Sequence, residues 1–156
     1  MAAKNQSAGI LLYRKHQGEL QVFLVHPGGP FWVKKDLDAW SIPKGEYDDN
    51  EEPLEAAKRE FGEETGFDIF RNDTAFIELS PVVQKGGKRV KAWACEGNVD
   101  PAQLKSNAFT MEWPPKSGKQ GEFPEMDKGE WMNLETAKQK IKAAQIPLLE
   151  ELKEKV

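Results

Sequence analysis

One short helix constrains this chain more than any other feature. Pro53 can open a helix, because the first turn's N–H groups have no intrahelical acceptor. Gly66 can close one, because glycine enters the left-handed conformation freely, so the sequence predicts a helix from 53 to about 65. Leu54, Ala57, Phe61 and Thr65 recur at i, i+3, i+7 and i+11, a stripe that must face a core. Glu60, Glu63 and Glu64 fall within an arc of roughly 100° on the same helix. Like charges at this spacing repel by a few tenths of a kcal/mol each, and the C-terminal end of a helix disfavours anions further. A hard divalent cation offsets both costs, since Mg2+ or Mn2+ takes carboxylate oxygens and keeps positions open for water and phosphate. Arg59 reaches Glu63 at i+4, and Glu51, just before the helix, is a second partner for its guanidinium. Taken alone, the helix reads more readily as a solvated charged face with Arg59 in a surface ion pair.

The segments around this helix read mainly as strands. Residues 7–14 and 20–26 are short β-prone runs on either side of Gly18 and predict a hairpin. Pro27-Gly28-Gly29-Pro30 breaks regular structure and leads into a loop carrying Phe31, Trp32, Lys34 and Lys35. A short strand-like run, 39–42, precedes Pro43-Lys44-Gly45, and further strands are expected at 74–84 and 88–96 around Lys85-Gly86-Gly87. Residues 100–128 contain four of the ten prolines and are expected to form a long loop, closing as a lid over substrate. Residues 134–143 and 146–153 predict helices interrupted at Pro147.

Charge narrows the partners. With 22 Lys and Arg against 26 Asp and Glu, the net charge is −4, and no basic helix is present, so nucleic acid is not the expected ligand. No apolar run approaches the ~20 residues of a membrane span, and the start of the chain lacks a signal-peptide core, which points to a cytoplasmic protein. The single cysteine, Cys95, cannot form an internal disulfide and is expected to be a buried strand residue; with His16 and His26 it cannot fill a structural zinc site. A chain of 156 residues is one domain's worth.

The full spacing from Gly45 decides how the helix is to be read. Gly45, five residues, Glu51, seven residues, then Arg59-Glu60-Phe61-Gly62-Glu63-Glu64-Thr65-Gly66-Phe67 fills every position of the pattern Gly-x5-Glu-x7-Arg-Glu-U-x-Glu-Glu-x-Gly-U, where U is apolar. Chance would produce this on the order of once in ten million chains of this length. The sequence therefore resembles the Nudix hydrolases. The resemblance implies an α/β/α sandwich with a mixed central sheet, and cleavage of a pyrophosphate bond in a nucleoside diphosphate linked to another group. It implies Glu60 and Glu64 as metal ligands, Glu63 as a further ligand or the base for the attacking water, the Gly45 carbonyl as a metal contact, and Arg59 with Glu51 as a supporting pair. A later glutamate often joins the metals in this family; Glu125 is the choice here, with Glu112, Glu122 and Glu130 as competitors.

A substrate bearing several negative charges can enter a site of three or four carboxylates only with divalent cations, which also polarise its phosphoryl oxygens. Lys44, directly before the pattern's glycine, is the best-placed phosphate contact among Lys34, Lys35, Lys44, Lys85 and Arg89. Phe31, Trp32 and Trp113 are candidates for stacking on a base. The expected substrate is a nucleoside triphosphate or dinucleoside polyphosphate. The alternatives are a diphosphoinositol polyphosphate, ADP-ribose, or a silent nucleotide-binding module.

Overall fold

The computed structural model describes residues 5–156. Two long strands form its centre: β1 (Gln6–His16) and β2 (Glu19–Pro27), antiparallel across a tight turn at Gln17-Gly18. Both are buried on their two faces along most of their length, as expected of near-continuous apolar runs. β3 (Lys44–Glu46) pairs antiparallel with the start of β1, and Gly9 makes that approach possible: a Cβ there would stand 2.6 Å from the Pro43 carbonyl oxygen.

β6 (Arg89–Glu96) runs parallel to β1, and the short strands β4 (Ile77–Glu78) and β5 (Val82–Val83) lie antiparallel to β6. On the other side, β9 (Met126–Asn133) pairs antiparallel with β2. The result is a mixed seven-stranded sheet, with order β4-β6-β1-β2-β9 along its main path.

Alternation along the central strands separates two cores. Ala8, Ile10 and Leu12 of β1 with Phe23 and Val25 of β2 face α1 (Pro53–Thr65), which contributes Ala56, Ala57 and Phe61. Leu11 and Tyr13 with Val22 and Leu24 face α2 (Leu134–Lys140) and α3 (Ile146–Lys155), which contribute Ala137, Leu148, Leu149 and Leu152. This is the expected α/β/α sandwich. Cys95 is a buried residue of β6, and burial pushes its thiol up to about 12. No helix among the described residues is long and apolar enough to cross a membrane.

Several elements differ from the sequence expectation. Residues 100–128 are not a continuous loop: a 3-10 turn at Pro101–Gln103 leads to a separate hairpin of β7 (Ala108–Glu112) and β8 (Gln120–Pro124). Residues 39–42 make only isolated bridges, Ser41 with Val25 and Trp40 with Ile141. The last two helices are separated by residues 141–145 rather than at Pro147, which sits in the first turn of α3, where its missing N–H costs nothing. β9 was not anticipated.

Candidate active site

α1 ends at Thr65, and Gly66 takes the left-handed cap at φ 78, its N–H donating to the Gly62 carbonyl at 2.8 Å. Glu60, Glu63 and Glu64 occupy its last two turns. Arg59 stands between the flanking acids: Nε and one terminal nitrogen bind the two oxygens of Glu51 at 2.8 and 3.0 Å, and the other terminal nitrogen donates to Glu60 at 2.6 Å and Glu63 at 3.1 Å. These partners hold the guanidinium firmly in its charged form. Glu64 turns the other way. Only 7% exposed, it accepts the backbone N–H of Lys44 at 3.1 Å.

Gly45 completes the cradle. A Cβ at this position would land inside the Glu60 carboxylate, so only glycine lets Glu60 lie directly on the backbone of β3. Lys44, its neighbour, is partly buried near Glu64, Lys142 and the Lys88–Glu46 ion pair; burial, with the two lysines, lowers its pKa.

The fourth carboxylate arrives through the backbone. The Asn107 N–H donates to the Glu63 carbonyl at 3.0 Å, and the Glu125 N–H to the Asn107 carbonyl at 2.7 Å, so two hydrogen bonds tie Glu125 to the end of α1. The Glu125 carbonyl accepts from Gly28 at 2.8 Å. Buried His26 holds the start of β9, with one ring nitrogen 2.8 Å from Asp127 and the other against the Lys35 carbonyl. Burial raises Glu60, Glu64 and Glu125 above the ordinary carboxylate range, and Glu125 adds to the rise at both Glu60 and Glu64.

Among the described residues no three acidic, histidine or cysteine side chains converge tightly enough to form a ready-made cation cage. Glu60 and Glu63 instead face a guanidinium, and Glu64 a backbone amide. The donor set nonetheless suits Mg2+ or Mn2+: four carboxylates supply hard oxygen ligands, and three of them are held in surroundings that penalise their charge until a cation arrives.

The remaining sequence candidates are dispersed. Glu112 closes the far end of the β7–β8 hairpin by accepting the N–H groups of Lys116 and Gly118 at 3.0 and 2.9 Å. Glu122 is exposed on β8, and Glu130 lies on β9 beside Arg14 and Trp131. Trp113 is at that same far end of the hairpin, roughly 17 Å along the strand from the level of Pro124, and packs edge-to-face on Phe31 at 5.6 Å. Trp32 is partly buried against the α2/α3 core, with the ammonium groups of Lys35 and Lys142 over its ring at 5.2 and 5.7 Å. Sequence reasoning had not singled out Lys142. Lying between two helices with no motif around it, it reaches the site only through folding.

The family model described as the NUDIX domain matches residues 3–152. The RNA pyrophosphohydrolase of Bartonella henselae is 28% identical, over 84% of this chain and 77% of its own length. Among solved structures, a Caenorhabditis elegans Ap4A hydrolase binary complex superposes with a TM-score of 0.66 at 25% identity, over 95% of this chain and 96% of that one. The NUDIX domain of Shewanella oneidensis NrtR, complexed with ADP ribose, superposes with a TM-score of 0.64 at 15% identity, over 99% and 90%, a likeness of fold.

Proposed function

The chain belongs to the NUDIX family of pyrophosphohydrolases, and from that premise we propose that it cleaves a pyrophosphate bond in a nucleoside polyphosphate with the help of Mg2+ or Mn2+. One observation carries the reading: Glu60, Glu63 and Glu64 end α1, main-chain bonds tie Glu125, in the bend between β8 and β9, to that helix end, and Lys44 and Lys142 line the crevice beside Glu64. Acid oxygens bind cations and ammonium groups bind phosphate, so the two halves together fit a polyphosphate accompanied by metal.

Metal, when bound, would neutralise phosphate charge and polarise the scissile phosphoryl group. Glu60 and Glu64 would hold it, with the Gly45 carbonyl beside them. Glu63, the most exposed of the three helix acids at 41%, engages Arg59 with one oxygen and would accept a proton from the attacking water with the other. Arg59, braced by Glu51, limits the carboxylates on its side to one arrangement, and Lys44 holds a phosphate oxygen. Glu125 adds a ligand from outside the helix.

The test is product release from a panel in Mg2+, in Mn2+ and in chelator. The panel comprises ATP, diadenosine tetraphosphate, a 5′-triphosphorylated oligoribonucleotide, ADP-ribose and a diphosphoinositol polyphosphate. The oligoribonucleotide belongs there because one relative is an RNA pyrophosphohydrolase and its 5′ end is chemically a nucleoside triphosphate. We expect turnover of the nucleoside polyphosphates that depends on metal and is lost in Glu63→Gln. Full turnover in chelator would refute the metal-dependent reading.

A further inference from the structure

Two cavities meet at Lys142. The smaller, about 60 Å3, is the crevice that Lys44 and Glu64 line at the acidic site. The larger, about 340 Å3, opens on the other side of Lys142 between Trp32, Gln84 and Lys85, and is of a size that holds small ligands. A single residue therefore borders both the crevice where Glu64 stands and a roomier chamber.

The chamber is built on a buried amide. Gln145 is fully buried, and its orientation follows from chemistry: the Ile42 N–H can only donate, so the atom it meets at 3.1 Å is the Gln145 carbonyl oxygen. The Gln145 nitrogen then donates to the Ser41 hydroxyl at 3.0 Å and to Gln84 at 2.8 Å. The Gln84 oxygen is thereby engaged, and its NH2 is the half left to serve a ligand. Through these bonds one side chain joins the three segments that carry Lys44, Lys85 and Lys142. The Lys142 N–H is fixed as well, donating to the Trp40 carbonyl at 2.8 Å. Asp38, the acid on the chamber wall, accepts the Ala143 N–H at 2.8 Å and so holds the same segment.

The chamber's chemistry is two ammonium groups, one amide donor, one indole ring and the Asp38 carboxylate, one oxygen of which is engaged by the Ala143 N–H. Ammonium and amide donors suit phosphate oxygens, and the ring suits an aromatic base. An uncharged sugar offers no negative charge to the two ammonium groups. We propose that this chamber is the subsite for the part of the substrate beyond the scissile pyrophosphate. It receives a further phosphate between Lys142, Lys85 and the Gln84 amide, with a base against Trp32. Lys142 thereby sets a preference for nucleotides with three or more phosphates over nucleoside diphosphate sugars. This rests on the polyphosphate reading of the neighbouring acidic site and names the substrate class that site serves.

The experiment is calorimetric titration of the full chain, in Mg2+, with four probes: a bis-methylene analogue of ATP, the methylene analogue of ADP, inorganic tripolyphosphate and inositol hexakisphosphate. Lys142→Gln is expected to weaken the ATP analogue at least ten-fold and the ADP analogue less than two-fold. Trp32→Leu is expected to weaken the ATP analogue several-fold and leave tripolyphosphate unchanged. Lys138→Gln, on the exposed side of α2, serves as the control and should bind like the wild type. Unaltered affinity of Lys142→Gln for the ATP analogue overturns the proposal, and so does tighter binding of inositol hexakisphosphate than of the ATP analogue. The two readings fail separately. Turnover of the substrate panel with unaltered binding in Lys142→Gln refutes the subsite and leaves hydrolysis standing, whereas Lys142-dependent binding without turnover refutes hydrolysis and leaves the subsite standing.

Discussion

Replacing Glu64 by Gln should stabilise the metal-free protein and abolish its stabilisation by metal. Burial raises the Glu64 carboxyl from 4.5 to about 8, only partly offset by the Lys44 amide and ammonium. Between those pH values the folded chain holds a proton that the unfolded chain releases. The contribution of Glu64 is therefore fully favourable below about pH 4.5 and is lost as the pH climbs toward 8. At about 1.36 kcal/mol per pH unit, the ceiling of this loss at pH 7 is roughly 3 kcal/mol. Coupling to Lys44 and local relaxation reduce the usable part to about 1–2 kcal/mol. Gln keeps an acceptor oxygen for the Lys44 N–H without the charge. In a chain of this size the gain corresponds to a rise in Tm of roughly 2–8 °C at pH 7 in chelator. The assay is thermal unfolding from pH 5 to 8 in chelator and again in Mg2+. In chelator the wild-type Tm should fall with rising pH while the variant's curve is flatter and higher; in Mg2+ the wild type should gain and the variant should not. A lower Tm for Glu64→Gln in chelator, with the pH slope unchanged, would refute the reasoning and make the carboxylate a structural group.

Glu125→Gln should lower kcat at least ten-fold with little change in nucleotide binding, whereas Glu112→Gln should leave kcat near wild type and loosen only the hairpin end it closes, read by steady-state kinetics and local hydrogen exchange. Gly45→Ala should displace Glu60 from the β3 backbone and weaken Mn2+ binding by an order of magnitude, read by the paramagnetic relaxation of water; wild-type affinity would show that the contact is incidental.

What could be read in advance divides by the range of the interactions involved. α1 was legible to the residue because Pro53 and Gly66 act locally and its stripe has one period throughout. β1 and β2 were legible because continuous apolar runs have few alternatives. β9 escaped notice: Asp127, Lys128 and Glu130 are exposed, only Gly129 and Met132 are buried, and its pairing with β2 comes from more than a hundred residues away. The β7–β8 hairpin was hidden for a related reason, since it packs against neither main core and its connection contains prolines. The three glutamates and Arg59 could be placed together from helix geometry alone. Glu125 needed a motif-like neighbourhood, and Lys142 left no trace in the sequence, because Gln145 assembles its surroundings by bonds between segments 60 to 100 residues apart.

The attachment of the hairpin bears on how the chain tolerates change in length. Its base is stitched to α1 and to Gly28 by main-chain bonds that no side-chain substitution removes, while its far end meets the rest of the protein through Phe31 and Trp113. Residues 114–118 lie beyond the last paired position, exposed and outside both cores. That tip can therefore be lengthened, shortened or recoded without shifting the carboxylate at the base. A peptide tag or a reporter spliced between Lys116 and Ser117 is expected to leave the acidic cluster assembled, which makes this tip a natural point of attachment for labelling the protein in its working state.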